Sequence, residues 1–219
     1  MNLFHPDSVF SKWMTKLFDA CLLNLLWLVC SLPMFTIGPA TQAMYYVALK
    51  HAEGEDGSIT CRYFQEFRRC FGQSIAIGLI MLGSGGLLLL DIYLAHMAGD
   101  GPIRSLLPVF LILLLAWACV LVYVFAVQAK FDNPVAATLQ ISTALALKHL
   151  PQTLLMLVTS LVLTSLIYFA PVLLIVNIGL IPMVNAGLLL KTFAPYLPKT
   201  VVKKDSDFPK FDKRVATDN

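Results

Sequence analysis

From Pro151 to Leu190 the chain runs for forty residues without one charged side chain. As a single helix that stretch would be about 60 Å long, twice the ~30 Å hydrocarbon core of a bilayer. It must therefore fold back on itself. Pro171, Asn177 and Gly179 place the break between about Ala170 and Gly179, where proline and glycine interrupt a helix.

Three further apolar stretches precede it, from about Leu17 to Ile37, from about Gln73 to Leu94 and from about Leu106 to Val127. Each is near the roughly twenty residues that a helical span requires. Of 219 residues, 58% are hydrophobic and 13% charged, against about 25% charged in soluble domains. Mean hydropathy is +0.76. The sequence specifies an all-α polytopic membrane protein with about five transmembrane helices and short interfacial helices.

Orientation follows from Lys and Arg. On this count thirteen of them flank the Gly38–Gly72 loop, the Gln128–Leu150 loop and the tail, and three lie on the other side. The expected topology is N-terminus out and C-terminus in. Residues 1–16 read as an N-terminal amphipathic segment, 17–195 as the membrane domain and 196–219 as a basic, disordered cytoplasmic tail. No small-residue cleavage site follows a short apolar run, so no cleaved signal peptide is expected.

Within the membrane domain, interfacial helices are expected near 39–50, 60–71 and 133–150. Pro39 would open the first, with Ala40, Ala43, Met44, Val47 and Ala48 on one face. In the second, Cys61, Phe64, Phe67 and Phe71 share a face while Arg62, Glu66 and Arg69 point elsewhere; an acidic lipid surface favours such arginines. Asp132-Asn133-Pro134 would cap the third.

Pro33, Thr36, Gly38 and Pro39 form a candidate structural corner. Pro33 frees a carbonyl one turn earlier, Ser31 and Thr36 offer hydroxyls to it, and Gly38 is expected at a positive φ. Asp19, Asn24, Asp91, Asn177 and Asn185 are candidates for an intramembrane polar site, since polar groups in hydrocarbon are costly. Interhelical hydrogen bonding is the plainer use of the asparagines, and water near the span ends that of the aspartates. Ser74, Gly78 and Gly85 form a small-residue stripe suited to close packing, within this bundle or against a partner.

Several classes find no residues. Five cysteines without a CxxC and four isolated histidines give no metal site. No P-loop, HExxH or GxSxG occurs, so neither a catalytic residue nor a cofactor is expected. The net charge of +3 is not gathered on a soluble domain, which argues against nucleic acid.

The run Asn24-Leu25-Leu26-Trp27-Leu28-Val29-Cys30-Ser31-Leu32-Pro33-Met34-Phe35-Thr36-Ile37-Gly38-Pro39-Ala40-Thr41 resembles the signature of the YesL-like family. These are small membrane proteins of Gram-positive bacteria with a domain of unknown function. Tyr45-Tyr46, Phe64 to Phe71 and Leu145 to Thr153 continue the resemblance, with His149-Leu150-Pro151 standing where members often have Asn-Leu-Pro. The resemblance implies a multi-pass plasma-membrane protein, often encoded beside sugar ABC importers, with no established activity. It thereby implies an accessory or scaffold role in carbohydrate uptake; the alternative is a stand-alone transporter or channel for a small polar solute. The expected partners are the lipid bilayer and importer permease subunits. Ala136, Ala137, Leu150 and Pro151 are similar to the permease loop that docks on an ATPase, although Val135 stands where that loop has an acid and its glycine is missing. An ordinary interfacial helix is the plainer reading of that segment.

Overall fold

The computed structural model describes residues 9–55, 57–97, 104–131, 133–169 and 174–196. The first residues, residues 170–173 and the tail lie outside them. So do Pro171, Asp132 and the expected disordered segment.

All regular structure among the described residues is helical. Helix α1 spans Val9–Cys30, a 3-10 turn covers Met34–Thr36, and α2 spans Ile37–Ala52. Then come α3 (Ile59–Arg69) and α4 (Phe71–Met97). A second 3-10 turn leads into α5 (Leu107–Lys130), and α6 (Val135–Lys148), α7 (Leu150–Phe169) and α8 (Leu174–Phe193) follow.

Among the described residues, three helical segments are long and apolar enough to cross a membrane: Phe71–Met97, Arg104–Lys130 and Asn177–Tyr196. A fourth is reached if α6 and α7, bent by 98° at their junction, count as one span. On α4, Leu79, Ile80, Leu82, Leu87, Leu89 and Leu90 all point out of the bundle. A belt of exposed leucine this long is a lipid-facing surface, because water would not tolerate it.

The forty-residue uncharged stretch folds back as α7 and α8. Thr192 donates to Gln152 Oε1 at 2.8 Å, and Asn185 bridges Thr159 and Ser160, so the two helices run antiparallel. Asn177 and Gly179 do not break the chain; both lie inside α8. Gly179 is there for packing, since a Cβ would stand 2.3 Å from the Ala20 carbonyl oxygen of α1.

The first apolar stretch departs most from expectation. Its helix stops at Cys30 instead of continuing to Ile37, because Pro33 cannot donate and Ser31–Pro33 take a bend. The chain then reverses. Trp27 Nε1 donates to Thr41 Oγ1 at 3.0 Å and Asp19 lies 3.9 Å from His51, so α1 and α2 form an antiparallel hairpin. Helix α2 opens at Ile37, two residues before Pro39. Proline is tolerated there because the first turn has no intrahelical acceptors to serve.

Helix α2 also buries far more than one face. Gln42 and Tyr45 are buried along with Ala40, Ala43, Met44, Val47, Ala48 and Leu49. It packs against α1, α3, α4, α5 and α8. Its start, Gly38, lies against Ser74 and Gly78 of α4, and its last turn reaches Lys130, which pairs with Glu53. Gln128 of α5 in turn donates to Ser74 at 3.3 Å. Both ends of a helix about 24 Å long therefore sit near one end of the α4–α5 pair, and α2 runs obliquely across it. The same end holds Phe131 and Phe193, packed edge to face at 5.6 Å.

Candidate functional site

Beneath α3, four helices bring polar side chains together. The sequence pattern put Cys61, Phe64, Phe67 and Phe71 on one face and Arg62, Glu66 and Arg69 elsewhere; the structure turns a different face, built on Tyr63 and Glu66, into the bundle. Tyr63, Glu66 and Cys70 are buried, while Cys61 and Phe64 are exposed. Acceptors on α2 explain the phase: the Tyr63 hydroxyl donates to the Ala40 carbonyl at 3.2 Å.

Glu66 is only 3% exposed. A bare carboxylate there would be untenable. Arg69, one turn on, donates from Nε to Oε2 at 2.9 Å and from Nη2 to Oε1 at 3.0 Å. Gln42 Nε2 adds a third bond at 3.0 Å and the Cys70 thiol approaches at 3.6 Å. The Ser74 hydroxyl donates to the Gln42 side-chain oxygen Oε1, and Gln128 Nε2 reaches Ser74. The Gln128 side-chain oxygen is buried without a partner. The chain of groups thus joins α3, α2, α4 and α5. Burial pushes the Cys70 thiol up and Glu66 beside it pushes the same way, so the sulfur stays protonated and is a poor nucleophile.

Sequence reasoning missed Gln42, Ser74 as a polar group, Gln128 and the burial of Glu66. Two signals were present: Glu66 and Arg69 stand at i and i+3, and Gln42 and Gln128 each interrupt an apolar run.

The predicted corner is a dense hydrogen-bonded turn. Thr36 Oγ1 lies 2.6 Å from the carbonyl oxygens of both Cys30 and Pro33, and the Ser31 hydroxyl donates to Leu28 O at 3.2 Å. Pro33 is extended with φ −76° and ψ 120°. Among the described glycines only Gly54 has positive φ, so Gly38 is helical, contrary to expectation. Its requirement is proximity: a Cβ would stand 2.3 Å from the Ser74 carbonyl oxygen and 3.2 Å from Gly78 Cα. Ser74, Gly78 and Gly85 serve this bundle, Gly85 lying against the Trp117 ring.

The five intramembrane candidates fall on α1, α4 and α8, and Asn24 lies beside Gly179 of α8. Asp19 faces His51, and Asn24 is buried on α1. Asn177 donates to Leu163 O at 2.6 Å and Asn185 to Ser160, both tying α8 to α7. Asp91 is half-buried on α4. Of the partner-facing candidates, Ala136, Leu150 and Pro151 are exposed and Ala137 packs against the core. Helix α6 begins after Pro134 without a side-chain cap.

Among the described residues no group of three or more His, Cys, Asp or Glu is placed to hold a metal. Residues 20–92 match a family described as "Protein of unknown function, DUF624". The chain is 34% identical over 151 residues to the uncharacterized protein YesL of Bacillus subtilis (strain 168), covering 67% of this chain and 69% of that protein. It is 26% identical over 185 residues to the uncharacterized protein YteU of the same organism, covering 82% and 78%. No solved structure matches.

Proposed function

Because this chain belongs to the DUF624 family of YesL-like proteins, we propose that it is a non-enzymatic accessory or scaffold subunit of a carbohydrate ABC-type importer in the bacterial plasma membrane. The carrying observation is how the buried polar groups are used. Glu66, Gln42, Ser74, Asn177 and Asn185 hold helix to helix, so these polar groups serve the bundle itself, as suits a scaffold. The permease would meet the outward stripe of α6, formed by Ala136, Gln140, Thr143 and Leu147 and continued by Leu150. Co-purification in mild detergent tests this. A permease retained by the wild type and lost from Leu147→Glu supports the proposal; a chain that purifies alone from importer-expressing cells overturns it.

A stand-alone transporter or channel would line a path with free polar groups, and here Asn177 and Asn185 are engaged in α7–α8 hydrogen bonds. Solute flux through liposomes containing this chain alone would favour that alternative.

Two membrane arrangements follow from the charges and contacts. Five spans with the N-terminus out correspond to the thirteen-to-three split. The Asp19–His51 and Lys130–Glu53 contacts favour a second arrangement, in which the α1–α2 hairpin stays on the basic side and four spans leave both termini inside. It moves Lys12 and Lys16 across, and the split becomes fifteen to one.

A further inference from the structure

Helix α3 keeps a second face outside the bundle. Cys61, Phe64, Gln65 and Arg68 turn outward and, with Arg69, line a surface groove of about 600 Å³. The charges on this helix are unequally engaged. Arg62 lies 3.7 Å from Glu55, and Arg69 is held by Glu66. Arg68 is exposed and, among the described residues, has no carboxylate partner. Its guanidinium is therefore a fork of donors open to an anion. Phe64 in the groove and Phe71 just beyond the end of α3 are exposed by 40% and 36%. Phe71 is also the first residue of α4, a candidate span, so the groove sits where that helix begins. Exposed aromatic rings next to a basic group suit the boundary between headgroups and hydrocarbon.

We propose that this groove binds an anionic phospholipid. Arg68 takes the phosphodiester with the Arg69 guanidinium alongside, and the glycerol and first acyl carbons lie on Phe64 and Phe71. A protein segment would leave the aromatic rings and the start of α4 facing lipid, whereas a phospholipid satisfies charge and apolar surface together. The site goes beyond the accessory-subunit reading and does not depend on it, because lipid retention is measured on this chain alone.

The test is native mass spectrometry of the full-length protein titrated with phosphatidylglycerol, phosphatidylcholine or inorganic phosphate. Phosphatidylglycerol adducts are expected to exceed phosphatidylcholine adducts. Arg68→Gln should weaken phosphatidylglycerol retention about fivefold, the effect of one basic side chain at an anionic surface, and leave phosphatidylcholine unchanged. Arg68→Lys should restore the preference, and Arg104→Gln, outside the groove, should not alter it. Equal retention of the two lipids by the wild type, or an Arg68→Gln variant that behaves like it, overturns the site. Displacement of phosphatidylglycerol by millimolar inorganic phosphate would assign the groove to free anions instead.

Discussion

A methyl group on Cα of residue 38 would intrude on the Ser74 carbonyl, 2.3 Å away. That oxygen belongs to helix backbone and cannot swing aside as a side chain would. Gly38→Ala should therefore lower stability by about 1–3 kcal/mol, the range for overpacking, read as a lower melting temperature in detergent. Gly83→Ala is the control, because its Cβ would meet open space and alanine improves helix propensity. Equal melting of the two variants would refute the close-approach account. Glu66 makes the complementary case, in which deletion does the harm. Glu66→Ala removes the acceptor of Arg69 and Gln42 and should cost about 1.5–3 kcal/mol, as for a hydrogen bond to a charged group. Arg69 is part-exposed and can turn to water, which keeps the loss near the lower figure. Unchanged melting would mean the buried carboxylate contributes nothing to the fold.

At the scale of helices and their joints, the α7–α8 hairpin is held along its length by hydroxyl and amide side chains. Asn185→Ala removes the bonds to Thr159 and Ser160 and should loosen the pair by about 0.6–1.7 kcal/mol, as measured for such bonds in membranes. Faster exchange of α8 amides reports it, and unchanged exchange would count against the bridge. The α2–α3 joint carries a pH response. The Lys50 ammonium, hydrogen-bonded to Glu55, holds that carboxyl below its ordinary 4.5. A depressed carboxylate stabilises the fold above its unfolded value, and the contribution disappears as pH falls through the folded value. Below about pH 4.5 the wild type should lose melting temperature slightly faster than Glu55→Gln, the effect being small for an exposed pair; parallel pH profiles would refute the link. These elements differ in how far they could be read from the chain. Helices α4 and α5 and the α7–α8 hairpin were legible because long uncharged runs leave no other solution in a bilayer. Helix α2 was legible as a helix but not as the centre of the bundle, since its burial depends on α8, nearly 140 residues later. The buried face of α3 was not legible because Ala40 and Gln42 of another helix supply the partners that draw Tyr63 and Glu66 inward. The polar cluster was illegible for the same reason: each member is ordinary alone.

For the whole molecule, the side on which the N-terminus lies separates the two membrane arrangements. In a cysteine-free background, a single cysteine near Asp100 should be labelled on intact cells and one near Lys203 should not. A cysteine at Asn2 decides between them: labelling from outside fits five spans, and protection fits four with the hairpin on the basic side. Labelling near Lys203 would sink both. The oblique course of α2 beneath α8 also bears on how the protein is made. The ribosome delivers α2 early, yet its burial needs the last helix of the chain. At ~5–20 residues per second, the hairpin waits roughly 7–30 s with the surface that packs on α8 uncovered. During that interval the nascent chain depends on lipid, or on whatever helper attends it, to shield the seam. A chain truncated before α8 should consequently be cleared by membrane proteases, even though α4 and α5 are already inserted.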